Sequence, residues 1–203
     1  MIKKCIKLIL NWYTKYYLKK HATLIGNKHK IYHTVKISLR DGATKDNIRL
    51  EEGCWPLGQI LVEGNGKVIM HPYSRIYKTT QILCVNRIEI GENTAISQNT
   101  TICDNNNHPV SPKFREQMGK TPMNHDSRLW KHSVSAPIII GKNCWIGTNV
   151  RICKGVTIGD NSVVAACSVV TKDVPANCIV AGNPARVVKT AINQIDDASF
   201  PVD

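Results

Sequence analysis

A repeat of six residues runs through the second half of the chain. The repeated position carries isoleucine or valine, and the residue that follows it is mostly glycine, alanine or another small residue. An even period agrees with the two-residue alternation of a β-strand and does not agree with the 3.6-residue turn of an α-helix. The six consecutive members of the repeat are Ile140, Ile146, Ile152, Ile158, Val164 and Val170.

This repeat predicts an all-β fold. Six residues form a short strand and a corner, three such units close a triangular coil, and stacked coils form three parallel sheets around a filled core. Ile90, Ile96 and Ile102 continue the pattern upstream. Between residues 31 and 88 the spacing is looser, which predicts irregular early coils.

The repeat is interrupted between Ile102 and Ile140. Residues 109–137 contain four prolines together with Gly119, Asn124 and Asp126, a composition typical of a loop that protrudes from the coils. Long loops in compact repeat folds are often functional, so an active site is expected here. We therefore divide the chain into an N-terminal helix (1–20), a coil domain (21–189) with this loop excursion, and a C-terminal tail (190–203).

The N-terminal segment carries half of the net positive charge of the chain. The formal net charge is +12, and the first 20 residues contain six lysines and no acidic residue. Residues 2–20 are predicted to form an amphipathic helix, with Lys3, Lys7, Asn11 and Lys15 on one side and Ile2, Ile6, Ile9, Tyr13 and Tyr16 on the other. Such a helix would pack on its own domain or a neighbouring subunit, or attach peripherally to an anionic membrane surface.

The composition limits the cellular setting. Ile2 to Leu10 is interrupted by lysines and no small-residue cleavage site follows, so we predict no secretory signal. The eight cysteines include no CxxC pair, and several occupy positions of the repeat where a small apolar residue fits. We therefore expect free, buried thiols and a cytoplasmic location, with the inner face of the membrane as a variant of it.

A histidine stands directly before the excursion. In the segment Cys103-Asp104-Asn105-Asn106-Asn107-His108-Pro109, the imidazole of His108 is suited to remove a proton from a hydroxyl at neutral pH. Asp104 or the asparagine run, which ends at Asn107, would hydrogen-bond the other ring nitrogen. The alternative is an ordinary loop histidine.

Four segments together resemble the hexapeptide-repeat acyltransferases: Ile140-Gly-Lys-Asn-Cys-Trp-Ile-Gly, Gly155-Val-Thr-Ile-Gly-Asp-Asn-Ser, Val169-Val-Thr-Lys-Asp-Val-Pro and Ala181-Gly-Asn-Pro-Ala-Arg. The chain looks most like the galactoside and maltose acetyltransferases and the bacterial sugar and capsule O-acetyltransferases. The resemblance covers roughly residues 76–189. It implies a left-handed parallel β-helix, assembled as a homotrimer with active sites between subunits.

The resemblance also implies the site. His108 would be the catalytic base, supported by Asp104 and Asn107, and acetyl-CoA would be the acetyl donor, with no metal. The residues that fall where this family contacts CoA are Trp145, Thr148, Ala166, Thr171, Lys172, Arg186 and Lys189. The acceptor-side residues of the galactoside enzymes are not recognisable in residues 70–88, so a different carbohydrate acceptor is expected. His125, Arg128, Trp130, Lys131 and His132 of the excursion are candidates to bind it.

Several alternatives stay open from sequence. The acceptor could be an amino-sugar nitrogen or a xenobiotic instead of a sugar hydroxyl, and the fold could be a scaffold without catalysis. A zinc hydratase on such a fold would need two histidines five residues apart, and the seven histidines include no such pair. Serine acetyltransferase has a large helical N-terminal domain that 20 residues cannot supply. Nucleic-acid binding rests on charge alone and is not expected.

Overall fold

The computed structural model describes residues 2–30 and 34–195; the side chains of residues 2–8 and 11 are outside the described part. The described part contains nineteen short strands. They are β1 (Thr23–Leu24), β2 (Lys36–Arg40), β3 (Ile48–Leu50), β4 (Trp55–Pro56), β5 (Gln59–Glu63), β6 (Lys67–Met70), β7 (Arg75–Ile76), β8 (Gln81–Cys84), β9 (Arg87–Ile90), β10 (Ala95–Ile96), β11 (Thr101–Cys103), β12 (Ile138–Ile140), β13 (Trp145–Ile146), β14 (Arg151–Ile152), β15 (Thr157–Ile158), β16 (Val163–Val164), β17 (Val169–Val170), β18 (Ile179–Gly182) and β19 (Ala185–Lys189).

The strands form three sheets, and each sheet takes every third strand of the coil. Face A has the order β1-β3-β6-β9-β12-β15, face B has β17-β14-β11-β8-β5-β2, and face C has β19-β18-β16-β13-β10-β7-β4. The pairs are parallel, for example Ile102 opposite Ile152, except that β18 and β19 form an antiparallel hairpin. The predicted left-handed parallel β-helix is confirmed.

The repeated aliphatic side chains fill the interior of the triangular prism. All six members of the unbroken repeat are at most 1% exposed, as are Ile90, Ile96 and Ile102. Each added coil therefore stacks its isoleucine or valine on that of the previous coil, and burial of this column drives the fold.

The early coils vary in length, as the looser spacing between residues 31 and 88 predicts, but their strands stay in register. Their strands pair in register with the later ones, from β2 onward. Successive partners on face B, Ile37, Ile60, Ile82 and Ile102, are 23, 22 and 20 residues apart, whereas Ile152 and Val170 are 18 apart. The corners of the early coils are longer by a few residues, which hides the six-residue period without disturbing the sheets.

Asparagine and glycine occupy the corners because the chain turns sharply there. Asn143 and Asn161 have φ angles of 54° and 59°, in the left-handed region that asparagine tolerates better than most residues. The Nδ2 atom of Asn143 donates to Oδ1 of Asn161 over 3.1 Å, so equivalent corners support one another. A Cβ atom added to Gly91 would lie 2.4 Å from the backbone of Gly141, so this stacked corner has no room for a side chain.

Two α-helices in the described part lie outside the coils. Helix α1 (Ile2–His21) precedes β1, and helix α2 (Pro112–Gly119) lies in the excursion between β11 and β12. The excursion also contains 3-10 turns at Asp126–Arg128 and Trp130–His132. Over the residues described, no helix is long and apolar enough to cross a membrane.

The thiols are free, as expected, but not all are buried. Five of the seven cysteines described have buried side chains, whereas Cys153 is half-buried and Cys167 is exposed. Cys167 stands at a corner with a φ of 62°, which turns its side chain away from the core. Cys5 was also predicted to be a free, buried thiol, but its side chain lies outside the described part.

Candidate active site

An open cleft of about 590 Å³ lies where face B meets the excursion. One wall comes from the segment after β11 and contains Asn105, Asn106 and His108. The opposite wall comes from the corners that follow β14 and β17. Arg151 of β14 and the residues Cys153, Lys154 and Thr171 of these corners line the opposite wall.

The backbone around His108 is tightly turned, which presents the imidazole at the mouth of the cleft. The His108 amide donates to the carbonyl of Asn106 over 2.7 Å. Asn107 has a φ of 61°, and its amide donates to Oδ1 of Asn105 over 2.8 Å. His108 is exposed, and no side chain among the residues described hydrogen-bonds its ring. Its nitrogens are therefore free to meet a substrate.

Asp104 does not contact His108 in the single chain. Its carboxylate is fully buried and accepts hydrogen bonds from the backbone amides of Val85 and Asn86 and from Nδ2 of Asn105. These donors occupy the carboxylate in the single chain, so Asp104 does not orient the His108 ring there, and its catalytic role stays a prediction. The Asp104 carboxylate fixes the end of β11, from which the chain continues to His108. Asn107 likewise contacts Cys103, with its Oδ1 3.6 Å from the thiol sulfur.

Cys103, which lines the cleft, is not suited to nucleophilic catalysis. Burial raises the pKa of the Cys103 thiol, although the nearby Asn105 amide and Arg151 act in the opposite direction. The thiolate is the nucleophilic form, so Cys103 is neutral and weakly reactive near pH 7. His108 is therefore the better candidate for proton transfer in this cleft.

The predicted cofactor residues fall into separate groups. Thr171 lines the cleft with His108, whereas Lys172 and Arg186 line a smaller cavity of about 180 Å³ at the β17 end. Trp145 is 60% exposed on face C. Thr148 and Ala166 occupy successive corners between face C and face B, and Lys189 is exposed at the end of β19. One chain thus brings only Thr171 next to His108.

Three basic residues line the cleft, and two of them, Arg151 and Lys154, were missed at the sequence level. Arg115 comes from α2, Arg151 projects outward from β14, and Lys154 follows at the next corner. No acidic side chain is among the lining residues described, so the cleft attracts anions. The outward direction of Arg151 could have been predicted from the sequence. Arg151 directly precedes Ile152, which is buried in the repeat, so its side chain points out of face B.

The excursion forms a second cavity of about 380 Å³ beside the first. The two share Pro109, and the second is lined by Phe114, Met118, Thr121, His125, Ser127 and His132, among others. Of the residues suggested for acceptor binding, His125 and His132 therefore face a cavity.

The other three suggested residues hold the excursion together. Arg128 donates to the carbonyls of Met118, Thr121 and Pro122. Lys131 lies 2.7 Å from the Asp126 carboxylate, and the backbone amide of Trp130 donates to the carboxylate of Glu63. The ion pair with Asp126 offsets the charge of Lys131, which the sequence suggested for acceptor binding.

No group of three or more histidine, cysteine, aspartate or glutamate side chains is placed to hold a metal ion within residues 2–30 and 34–195. His71, for example, is flanked by two carboxylates, but its two nitrogens are both used in hydrogen bonds with Glu51 and Glu89.

The repeat matches a known family model. Residues 137–172 match the model described as bacterial transferase hexapeptide (six repeats). This range begins at the end of the excursion and covers the unbroken run of coils, including Arg151, Cys153, Lys154 and Thr171 of the cleft. The predicted resemblance to hexapeptide-repeat acyltransferases is confirmed.

The relatives are acetyltransferases. The chain is 42% identical over 110 residues to the galactoside O-acetyltransferase of Escherichia coli (strain K12), a match that covers 51% of this chain and 54% of that protein. It is 31% identical over 126 residues to the putative colanic acid biosynthesis acetyltransferase WcaF of the same strain, covering 62% and 60%. The matches thus span little more than half the length of these relatives.

A solved galactoside acetyltransferase in complex with coenzyme A has a similar fold. The TM-score is 0.52 at 25% sequence identity, over 87% of this chain and 68% of that one. The likeness extends well beyond the 36 residues of the family match and includes the coils upstream of the excursion.

Proposed function

Because the chain carries the bacterial transferase hexapeptide repeat, we propose that it is an acetyl-CoA-dependent acetyltransferase that modifies a sugar hydroxyl. The observation that carries this proposal is the cleft itself. It is lined by His108 and Thr171 and by three basic residues, Arg115, Arg151 and Lys154. The names of the relatives support acetyl transfer, and the complex of a similar structure with coenzyme A supports the donor.

The chemistry assigned to His108 is general base catalysis. The imidazole accepts the proton of the acceptor hydroxyl while the oxygen attacks the thioester carbonyl of acetyl-CoA. The resulting tetrahedral intermediate collapses with cleavage of the C–S bond, which forms the acetyl ester. The proton held by His108 then passes to the departing thiolate, so the enzyme returns to its starting state without a covalent intermediate.

The proposal includes a homotrimer with active sites between subunits. The separation of the predicted CoA residues supports it, because Thr148 and Ala166 lie on one edge of face B and Thr171 and Lys172 on the other. A single chain cannot wrap these two edges around one ligand. In a trimer, an edge of one subunit would face the opposite edge of its neighbour.

For the acceptor, we propose an acidic bacterial surface glycan or its precursor, acetylated in the cytoplasm. Arg115, Arg151 and Lys154 in the cleft support an anionic acceptor as well as an anionic donor. The relationship to a putative colanic acid biosynthesis acetyltransferase supports a polysaccharide pathway. An amino-sugar nitrogen is the second candidate, because the same base could assist attack by an amine.

Release of free thiol from acetyl-CoA, measured against a panel of acceptors, tests the proposal. The panel contains acidic polysaccharides, neutral monosaccharides, amino sugars and their nucleotide conjugates. We expect turnover with an acidic glycan that falls steeply as salt is added, because ionic screening weakens charge attraction. Preference for a neutral sugar, or the same salt dependence for neutral and acidic acceptors, would reject the acidic acceptor. If no acceptor supports turnover of acetyl-CoA and the protein does not bind CoA, the proposed acetyltransferase activity is rejected.

A further inference from the structure

Helix α1 packs on the first coils through one side only. Thr14 and Leu18 are buried, with exposed fractions of 4% and 0%. Tyr17 fixes the rotation of the helix, because its hydroxyl donates to the carbonyl of Ile37 over 3.0 Å and accepts from the amide of the same residue over 2.8 Å. The direction of the opposite side is therefore set by the fold.

That opposite side is apolar and faces solvent. Trp12 is 69% exposed, Tyr13 58% and Tyr16 47%, and Ile9 beside them is 65% exposed. The rings of Trp12 and Tyr16 stack with centroids 5.8 Å apart and nearly parallel planes. The apolar side predicted from sequence is thus not the side that packs on the domain. Ile2 and Ile6 of that prediction have side chains outside the described part.

Lysines surround this aromatic surface. Lys15, Lys19 and Lys20 are exposed, and Nζ of Lys20 lies 4.8 Å from the centre of the Tyr16 ring. The helix contains no acidic residue in its first turn, and none occurs among the first 20 residues of the chain. Trp12, Tyr13, Lys15, Tyr16, Lys19 and Lys20 together are called the lysine–aromatic face below.

We propose that the lysine–aromatic face binds the surface of an anionic lipid bilayer, with helix α1 parallel to the membrane plane. Tryptophan and tyrosine favour the membrane interface because one end of the ring system is apolar and the other is polar. Lysine side chains reach anionic headgroups while their methylene stems stay in apolar surroundings. A helix that combines these residues without any acid fits this partner better than it fits a protein surface of mixed charge.

Membrane binding by the lysine–aromatic face is independent of acetyl transfer in the cleft. It concerns a surface at the β1 end of the prism, formed by residues other than those of the cleft. Helix α1 contacts β1, β2 and the 3-10 turn at Lys45–Asn47, and none of these elements lines the cleft.

Vesicle co-sedimentation of the full chain tests the proposal. We expect binding to vesicles of equal parts phosphatidylglycerol and phosphatidylcholine, and little binding to vesicles of phosphatidylcholine alone. The triple variant Lys15→Gln/Lys19→Gln/Lys20→Gln should bind the anionic vesicles at least about tenfold more weakly, from the attraction that each lysine near the surface contributes. The variant Trp12→Ser/Tyr16→Ser should lose binding by about tenfold or more, through loss of interfacial burial. The control Lys36→Gln/Lys67→Gln/Lys78→Gln, which removes the same charge from exposed lysines on the coils, should bind like the wild type.

Sedimentation velocity of the same proteins without lipid gives a second readout. The proposal expects the same oligomeric state for the wild type and for Trp12→Ser/Tyr16→Ser. If the variant dissociates, the face is covered by a second copy of the chain and the membrane proposal is overturned. It is also overturned if the wild type does not bind anionic vesicles at low salt, or if the control triple variant loses as much binding as the helix variant.

Discussion

The Oδ1 atom of Asp104 lies 2.9 Å from the backbone nitrogen of Val85, one coil earlier on the prism. The same carboxylate receives the amide of Asn86 over 2.8 Å. It therefore ties the residue that follows β11 to the preceding coil, inside the protein and away from water. The position of His108, four residues later, depends on this attachment.

Replacement of Asp104 by alanine should destabilise the protein strongly. Two backbone amides would lose a charged acceptor, and each such loss costs on the order of 1.5–3 kcal/mol in a buried site. We expect a decrease of about 3 kcal/mol or more in the free energy of unfolding, measured by urea titration at fixed protein concentration. The matched variant Glu92→Gln, at an exposed corner, should change it by less than about 0.5 kcal/mol. If Asp104→Ala lowered the free energy of unfolding by no more than Glu92→Gln does, the structural role of Asp104 would be refuted.

The stacked corner at Gly91 gives a second test. Gly91→Ala would place a methyl group 2.4 Å from the Gly141 backbone, so the two coils would have to separate. We expect a loss of about 1–3 kcal/mol in the free energy of unfolding. Gly119→Ala is the matched control, because a Cβ atom there meets no atom within 4 Å. Thermal unfolding of both variants should lower Tm for Gly91→Ala only, and an equal Tm for the two would contradict this account.

His71 predicts a pH dependence of stability. Burial disfavours its charged form, but hydrogen bonds with Glu89 and Glu51 outweigh burial and raise the pKa of His71. The stabilisation that this group contributes is therefore complete below its ordinary pKa of about 6.5 and is lost as the pH rises through the raised value. For Glu89, burial is likewise outweighed by hydrogen bonds with His71 and Arg87, which lower its pKa, so its contribution is lost as the pH falls through that lowered value.

The measurement compares the wild type with His71→Gln by urea unfolding at about pH 5.5 and about pH 9. The difference in the free energy of unfolding should be larger at the lower pH. It should stay within about 1 kcal/mol, because the side chains are partly exposed to solvent. The same difference at both pH values would show that the ion pairs contribute nothing.

The sequence predicts the fold well because the repeat encodes it directly. Ile140 to Val170 specify both the strand spacing and the core, and no other element has to be known to place them. The early coils are less visible in the sequence because their corners vary in length. The excursion follows no period at all, so its helix, its two 3-10 turns and the contacts of Arg128 emerge only from the structure.

The site is predicted less completely than the fold. His108 was identified because it stands at the break of the repeat, but the contacts of Asp104 depend on Val85 and Asn86, which lie one coil away. Arg115 reaches the cleft from α2, and no sequence pattern links that helix to face B. The roles of His108 and of the CoA residues stay predictions.

The CoA residues predict a selective effect on donor binding. Trp145→Ala and Lys172→Ala should each weaken acetyl-CoA binding by about tenfold, through loss of an exposed aromatic surface in one case and of a phosphate partner in the other. Titration calorimetry with CoA measures this, and acceptor binding should change less. Lys67→Ala, on face A far from the later coils, is the matched control. Unchanged affinity in both variants would remove these residues from the donor site.

The most direct test of the proposed mechanism is the turnover number of His108→Ala, measured by thiol release from acetyl-CoA with the best acceptor. General base catalysis by a histidine contributes a factor of roughly 100 or more, so the variant should lose at least that much in kcat. Its affinity for CoA should stay that of the wild type, and His71→Gln should retain turnover. A His108→Ala protein with wild-type kcat would contradict the account.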